Sequence, residues 1–207
     1  TITEENLHQL YQISTGDYLP DEDRLLPDHF YRHDVVYVVG GEESREGLPA
    51  QQLPDAMKRL VDFANAKDGI NELHKAAILH FAFAYYHPYF DGNGRTARLL
   101  HLWYLVQQGY PAALFTPFSR YIAESKAAYY KAYDRIEKNA LISGYTDVTP
   151  FLSYFCNEVY NRLKVDVTPP QADLQVYQTA LAEGKITEKE RLLWEYVLSA
   201  YGTEEFT

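Results

Sequence analysis

Residues 71–86 carry apolar side chains on nearly every side of a helix: Leu73, Ala76, Ala77, Ile78, Leu79, Phe81, Ala82 and Phe83. A helix that is apolar all round must be enclosed by protein. The chain is therefore predicted to be a helical bundle built around this segment. The pattern ends at Tyr86-His87, because Pro88 cannot continue a helix and drives the preceding residue out of helical geometry. A second long helix is expected to begin near Gly94 and to run through Leu99, Leu100, Trp103, Tyr104 and Leu105 to Gly109.

The remaining elements follow from their own patterns. Residues 3–12 read as a short helix with Thr3 as N-cap and Glu4 and Glu5 in the first turn, where acidic groups favour the helix dipole. Further helices are expected at 54–65, 120–139 and 150–163. Residues 35–39, Val-Val-Tyr-Val-Val, are the strongest β signal, and Gly40-Gly41 follows as a turn, so one hairpin is predicted. Val167-Thr168-Pro169-Pro170 marks a boundary. The organisation expected is a mostly α domain over 1–165 with one small β-hairpin, then 166–207 as a helical linker or the start of a further domain, with helices at 172–182 and 187–201.

Charge and cysteine usage narrow the function. With 19 Lys+Arg against 29 Asp+Glu the net charge is -10, which disfavours a general nucleic-acid binder that would present a basic face. Cys156 is the only cysteine. It excludes an internal disulfide, argues against a cysteine zinc site, and reads as a small buried apolar residue. No apolar run approaches the roughly 20 residues of a membrane helix, and no signal-peptide pattern is present. A cytoplasmic location is expected, with a homo-oligomer left open. The sequence starts at Thr1 without Met and stops at Thr207, which reads as a piece of a longer protein.

Chemistry concentrates in His87-Pro88-Tyr89-Phe90-Asp91-Gly92-Asn93-Gly94-Arg95-Thr96-Ala97-Arg98. Two glycines let the backbone approach a ligand, and successive N–H groups in such a turn make an anion nest. The helix that opens there adds free N–H groups and a positive dipole end. Arg95 and Arg98, three apart, are expected on one face of its first turn. Asp91 beside phosphates implies a bridging Mg²⁺. His87 is the nearby group able to be neutral at pH 7 and accept a proton. The set describes phosphoryl or nucleotidyl transfer. Taken singly, each residue has a plainer structural role, such as cap, tight turn or surface ion pair. Gly92-Asn93-Gly94-Arg95-Thr96-Ala97 also fits a dinucleotide fingerprint, but that motif needs a preceding strand and here a helix precedes it. His80 lies on a similar helical face to His87 and reads as a packed, hydrogen-bonded histidine and not a metal partner.

This segment resembles the signature of the Fic family, His-Pro-Phe-x-[Asp/Glu]-Gly-Asn-Gly-Arg-x-x-Arg, at eleven of twelve positions, the departure being Tyr89 for Phe. The added hydroxyl faces the core and needs a partner. The resemblance extends over about residues 3–163 and implies a Fic-like helical bundle that transfers AMP from Mg·ATP to a Ser, Thr or Tyr hydroxyl of a target protein. His87 would then be the general base and Asp91 the Mg²⁺ ligand. Gly92, Asn93, Gly94, Arg95, Thr96 and Arg98 would bind the nucleotide phosphates, with Arg98 on the γ-phosphate. Val39, Gly40, Gly41 and Glu42 look like the family's flap, which covers the nucleotide and docks the target as an added strand. Tyr129 looks like the tyrosine bordering the adenine. The intact Gly-Asn-Gly-Arg run favours adenylylation over the kinase-like Doc branch. An inhibitory motif, [Ser/Thr]-x-x-x-Glu-[Gly/Asn], fits Thr1 to Asn6 with Glu5 and Thr179 to Gly184 with Glu183, either of which would pair with Arg98. Two other activities stay open: removal of AMP from a modified protein, and a nucleotide-responsive regulatory module without transfer.

Overall fold

The computed structural model of the chain describes residues 1–38, 44–164, 179–185 and 187. The chain separates into two compact units, Thr1–Cys156 and Asn157–Thr207.

The first unit is helical with one small hairpin. Its helices are α1 (Glu4–Ser14), α2 (Leu53–Asn65), α3 (Glu72–Tyr86), α4 (Asn93–Gln107), α5 (Phe118–Glu124), α6 (Lys126–Ser143) and α7 (Thr149–Tyr154). The strands β1 (Tyr37–Val38) and β2 (Arg45–Glu46) pair antiparallel, Tyr37 opposite Glu46 and Val38 opposite Arg45. Among the described residues, the strand expected at 35–39 is thus realised at Tyr37–Val38. Val39 and the expected flap residues Gly40, Gly41 and Glu42 lie outside the described residues.

Helix α3 is the central element its sequence demands. Ala76, Ala77, Leu79 and Phe83 are fully buried, and Phe81 nearly so. Asn71 starts it by accepting hydrogen bonds from the Leu73 and His74 amides, which satisfies two of the first free N–H groups. The two charged or polar intrusions are neutralised locally. The Lys75 ammonium, buried, donates to Ala66 O at 2.6 Å and pairs with Asp68 at 3.0 Å. His80 Nε2 lies 3.0 Å from the Tyr129 hydroxyl. Helix α4 packs along α3 through Ala97, Leu100, Tyr104 and Leu105. Phe151 of α7 meets Phe81, Tyr129 and Tyr133 in tilted and edge-to-face ring contacts, closing the core on the α6 side.

Helix α1 is capped by Thr3, whose hydroxyl accepts the Asn6 amide, and continues to Ser14. Its leading edge is tied to α2, where Asn65 exchanges two bonds with the Ile2 backbone, 3.1 and 2.7 Å. The helix expected over 120–139 is instead two, because α5 and α6 meet at Ser125, whose hydroxyl turns back to Tyr121 O and meets Tyr154. Cys156 is half-buried, not enclosed as its residue type suggested, with its sulfur 3.9 Å from His74 Nε2.

In the second unit, a 3-10 turn spans Tyr160–Lys164 and residues 179–182 are helical. That helix closes on Gly184, at φ 69, with the Glu183 carboxylate 2.7 Å from Lys185. The boundary expected at 167–170, most of the helix expected at 172–182, and all but Thr187 of that expected at 187–201 lie outside the described residues.

Candidate active site

Between the hairpin, the α3–α4 corner, α5 and α6 lies a cleft of about 560 Å³. His87, Asp91, Gly94 and Arg98 form one wall; Val38 and Arg45 come from the hairpin; Lys126, Tyr129, Tyr130, Tyr133, Asp134 and Glu137 come from α6. The corner is built by backbone rules. His87 caps α3 in the left-handed conformation, φ 55 and ψ 61, and its amide closes on Phe83 O. A residue with a Cβ takes this conformation at a cost of about 1 kcal/mol, so its surroundings must hold it there. Gly92, at φ 77, starts α4, and a Cβ added to it would stand 2.6 Å from Thr15.

His87 Nδ1 lies 3.2 Å from Ala84 O. A carbonyl can only accept, so Nδ1 carries the proton and Nε2 keeps the lone pair. Burial pushes the imidazole pKa down to about 4; the Ala84 carbonyl opposes this, Arg45 and Arg32 reinforce it, and Asp91 opposes it. His87 is thus a neutral acceptor on the cleft wall throughout the neutral range. Tyr129 is held by His80 and by the Tyr133 hydroxyl at 3.2 Å, and burial raises its pKa to about 12, keeping it protonated.

Asp91 is exposed, and one of its carboxylate oxygens takes the Gly92 amide at 2.6 Å. The other is free to meet a cation. Among the described residues no group of three or more His, Cys, Asp or Glu side chains could hold a metal by itself. A single carboxylate whose cation completes its shell with phosphate oxygens and water is the usual magnesium arrangement at nucleotides, so Asp91 fits that ion.

The twelve-residue segment divides into two sets. His87, Asp91, Gly94 and Arg98 line the cleft; among the described residues Gly92, Asn93, Arg95 and Thr96 do not. Asn93 is buried, and its amide clamps the Tyr89 backbone, accepting from N–H at 2.9 Å and donating to C=O at 2.7 Å. Thr96, fully buried, returns its hydroxyl to Gly92 O at 3.0 Å. Arg95 reaches α1, donating to Ser14 O at 3.1 Å and Thr15 Oγ1 at 2.7 Å. The two arginines expected on one face therefore serve opposite sides of the loop. Glu5 is exposed in the first turn of α1 and does not line the cleft; Glu183 belongs to the second unit.

Sequence reasoning missed two further arginines. Arg45 bonds Tyr85 O at 3.0 Å, pairs with Glu137 at 2.9 Å and lies 4.2 Å above the Tyr85 ring. Arg32, 2% exposed, donates to the carbonyls of His87, Asp34 and Leu48. The available signal was their placement on either side of the single β pattern in an acidic chain.

The Fic/DOC family profile matches residues 1–105. Similar curated proteins include "Protein adenylyltransferase Fic" of Drosophila willistoni, 34% identical over 41% of this chain and 16% of that protein. "Protein adenylyltransferase fic-1" of Caenorhabditis elegans is 30% identical over 48% of this chain and 18% of that protein. The chain thus spans about a sixth of the length of these relatives. A Fic family protein from Desulfovibrio desulfuricans shares the fold, with TM-score 0.61 and 21% identity over 98% of this chain and 57% of that one. A Fic domain containing signaling protein from Bacteroides thetaiotaomicron matches at TM-score 0.54 and 25% identity over 76% of this chain and 59% of that one. With the profile covering half of the sequence and the helical bundle matching solved relatives, this chain belongs to the Fic/DOC family.

Proposed function

We propose that the chain is a protein adenylyltransferase that moves AMP from Mg·ATP to a Ser, Thr or Tyr hydroxyl of a target protein. The observation that supports this reading most directly is the shared cleft wall: His87, with Nδ1 committed to Ala84 O, stands with Arg98 and Gly94 along one face. The relatives named as protein adenylyltransferases point the same way.

In this reading His87 Nε2 accepts the proton of the target hydroxyl as its oxygen bonds the α-phosphorus. The bond from that phosphorus to the bridging oxygen breaks, and pyrophosphate leaves with the electron pair. Arg98 holds the outer phosphates so that the leaving group lies opposite the attacking oxygen. Asp91 would hold Mg²⁺, which when bound offsets phosphate charge. Tyr129 and its neighbours on α6 would border the base. The hairpin of β1 and β2, with Val39, Gly40, Gly41 and Glu42 between its strands in sequence, is the edge on which the target would add as a strand. We assign this work to residues 1–165 and treat 166–207 as an appendage.

Intact-mass spectrometry after incubation with Mg·ATP tests the reading, with His87→Ala as control. Gain of one AMP by the wild-type chain alone is the expected outcome. An equal gain in the variant would remove His87 from the chemistry. Release of AMP from a pre-modified protein, without any gain, would replace transfer by its reversal.

A further inference from the structure

Arg32 commits all three of its guanidinium nitrogens beside the cleft, and it does not line it. Its guanidinium donates from Nε to His87 O at 2.7 Å, from Nη1 to Asp34 O and from Nη2 to Leu48 O. Its own amide donates to Pro88 O at 2.9 Å. Among the described residues no carboxylate lies within ion-pair distance of it, the Asp34 charge acting on it from farther off, although it is 2% exposed. Burying an arginine on carbonyls alone is expensive, and a merely stabilising staple could be made by an apolar residue. The acceptors say what the charge is used for. They come from three places: the peptide after α3, the approach to β1 and the exit from β2.

Two independent observations place His87 at the centre of this cluster. His87 holds φ 55, a conformation that needs outside support, and Arg32 grips the peptide groups on both sides of the following bond, at His87 O and Pro88 O. Rotation of His87 toward ordinary backbone angles would break both bonds. Gly47 is the second observation. A Cβ there would stand 2.7 Å from Arg32 Nη2, 2.9 Å from Val36 Cγ2 and 3.3 Å from His87 Cβ. The base of the hairpin therefore lies directly against both the guanidinium and the histidine. The Leu48 amide adds a bond to Tyr86 O at 3.2 Å on the same seam.

We propose that Arg32 is a positioning residue that fixes the backbone of His87 in its left-handed form and sets the hairpin at a constant distance from the histidine. The proposal rests on the adenylyltransferase reading for its kinetic consequence. A target strand added to the hairpin is thereby brought into register with Nε2 through one side chain. Lysine cannot replace it, because a single ammonium on a flexible stem cannot reproduce the rigid fork by which Nε, Nη1 and Nη2 each reach a different carbonyl.

The test compares wild type, Arg32→Met, Arg32→Lys and Gly47→Ala in the full chain. Steady-state transfer, far-ultraviolet circular dichroism and ¹⁵N imidazole spectra of His87 are recorded for each. The expected result is a kcat about 100-fold lower in Arg32→Met with KM for ATP within about threefold, since a displacement of about 1 Å of a reacting group costs on that order. Arg32→Lys should recover only part of it. In the spectra, wild-type His87 should show a single Nδ1–H tautomer, and Arg32→Met should show a mixture. Gly47→Ala, which displaces the guanidinium without removing it, should shift the same His87 signals, and it carries the test if Arg32→Met does not fold. Wild-type kcat in the folded variants, or His87 spectra that superimpose across all four proteins, would overturn the positioning role. Absence of transfer by the wild type with an Nδ1–H signal that responds to Arg32→Met would sink the adenylyltransferase reading and leave the positioning role standing.

Discussion

Replacing Asn93 by alanine should damage the fold and not the affinity for nucleotide. Asn93 and Tyr89 are both buried, at 2% and 0% exposure. The Asn93 amide is the partner of both polar groups of the Tyr89 backbone. Alanine leaves an N–H and a C=O unpaired where solvent does not reach. Each such group costs about 1–3 kcal/mol, so the pair amounts to about 2–6 kcal/mol. That is a large share of the roughly 5–15 kcal/mol by which domains of this kind are stable. Urea denaturation followed by far-ultraviolet circular dichroism should show a lower midpoint with an unchanged slope. Asn93→Asp should fare no better at pH 7, since it keeps the acceptor for the Tyr89 amide but sets a second oxygen against the Tyr89 carbonyl. A midpoint equivalent to less than about 0.5 kcal/mol from wild type would refute the reasoning. So would an intact midpoint with weakened ATP binding, which would return Asn93 to the phosphates.

Other outcomes follow from the same geometry. Tyr89 stacks on Tyr11 at 3.7 Å, and neither buried hydroxyl has a hydrogen-bond partner among the described residues. Tyr89→Phe, which restores the family's residue, should therefore hold or raise the melting temperature, and a loss of more than about 1 kcal/mol would show that the hydroxyl is satisfied. Arg98→Ala should weaken ATP binding by about 10- to 100-fold in calorimetry, the worth of a charge-assisted bond. Arg95→Ala should lower stability more than affinity, because its bonds go to Ser14 and Thr15; the opposite ranking would reverse their roles. Acid should destabilise the fold well before its carboxylates titrate. Burial holds His87 at about 4, His101 at about 3 and His80 lower than its ordinary value, against 6.5 when unfolded. Below about pH 6.5 the unfolded chain binds the extra protons, so stability is full above that value and falls beneath it. Each histidine contributes about 1.4 kcal/mol per pH unit. Denaturation midpoints that stay level from pH 6.5 to 5 would contradict the neutral, enclosed histidines.

What could be read from the sequence was whatever is written locally. The all-round apolar pattern of 71–86 identified the central helix, and Pro88 located its end. Thr3 announced α1 through its side-chain oxygen, and the glycine-flanked segment marked the loop. Hidden were the interactions between distant positions. Nothing near Arg95 in the chain says that Thr15 will be beside it, and nothing near Arg32 announces the His87 carbonyl. The same limit hid what the side chains of Asn93 and Thr96 do. The family resemblance implied nucleotide contacts for both, and it carried no sign that their side chains also hold the loop's own backbone. The break at Ser125 was invisible because no proline or glycine marks it; a hydroxyl bonded to Tyr121 O and Tyr154 does.

The close approach of Thr15 to Gly92 makes the loop between α3 and α4 a two-piece object. Its glycines supply freedom, and the end of α1, 80 residues earlier than Arg95, supplies the mould against which that freedom is spent. A peptide bond cut between Ser14 and Gly16 would leave every cleft-lining residue on the larger piece and yet remove half of the template. The amino-terminal helix, with Leu7 and Tyr11 as its buried face, then becomes a separable part that can be returned in trans. Complementation by that helix offers a way to switch the loop between shaped and shapeless without touching a single group on the cleft wall.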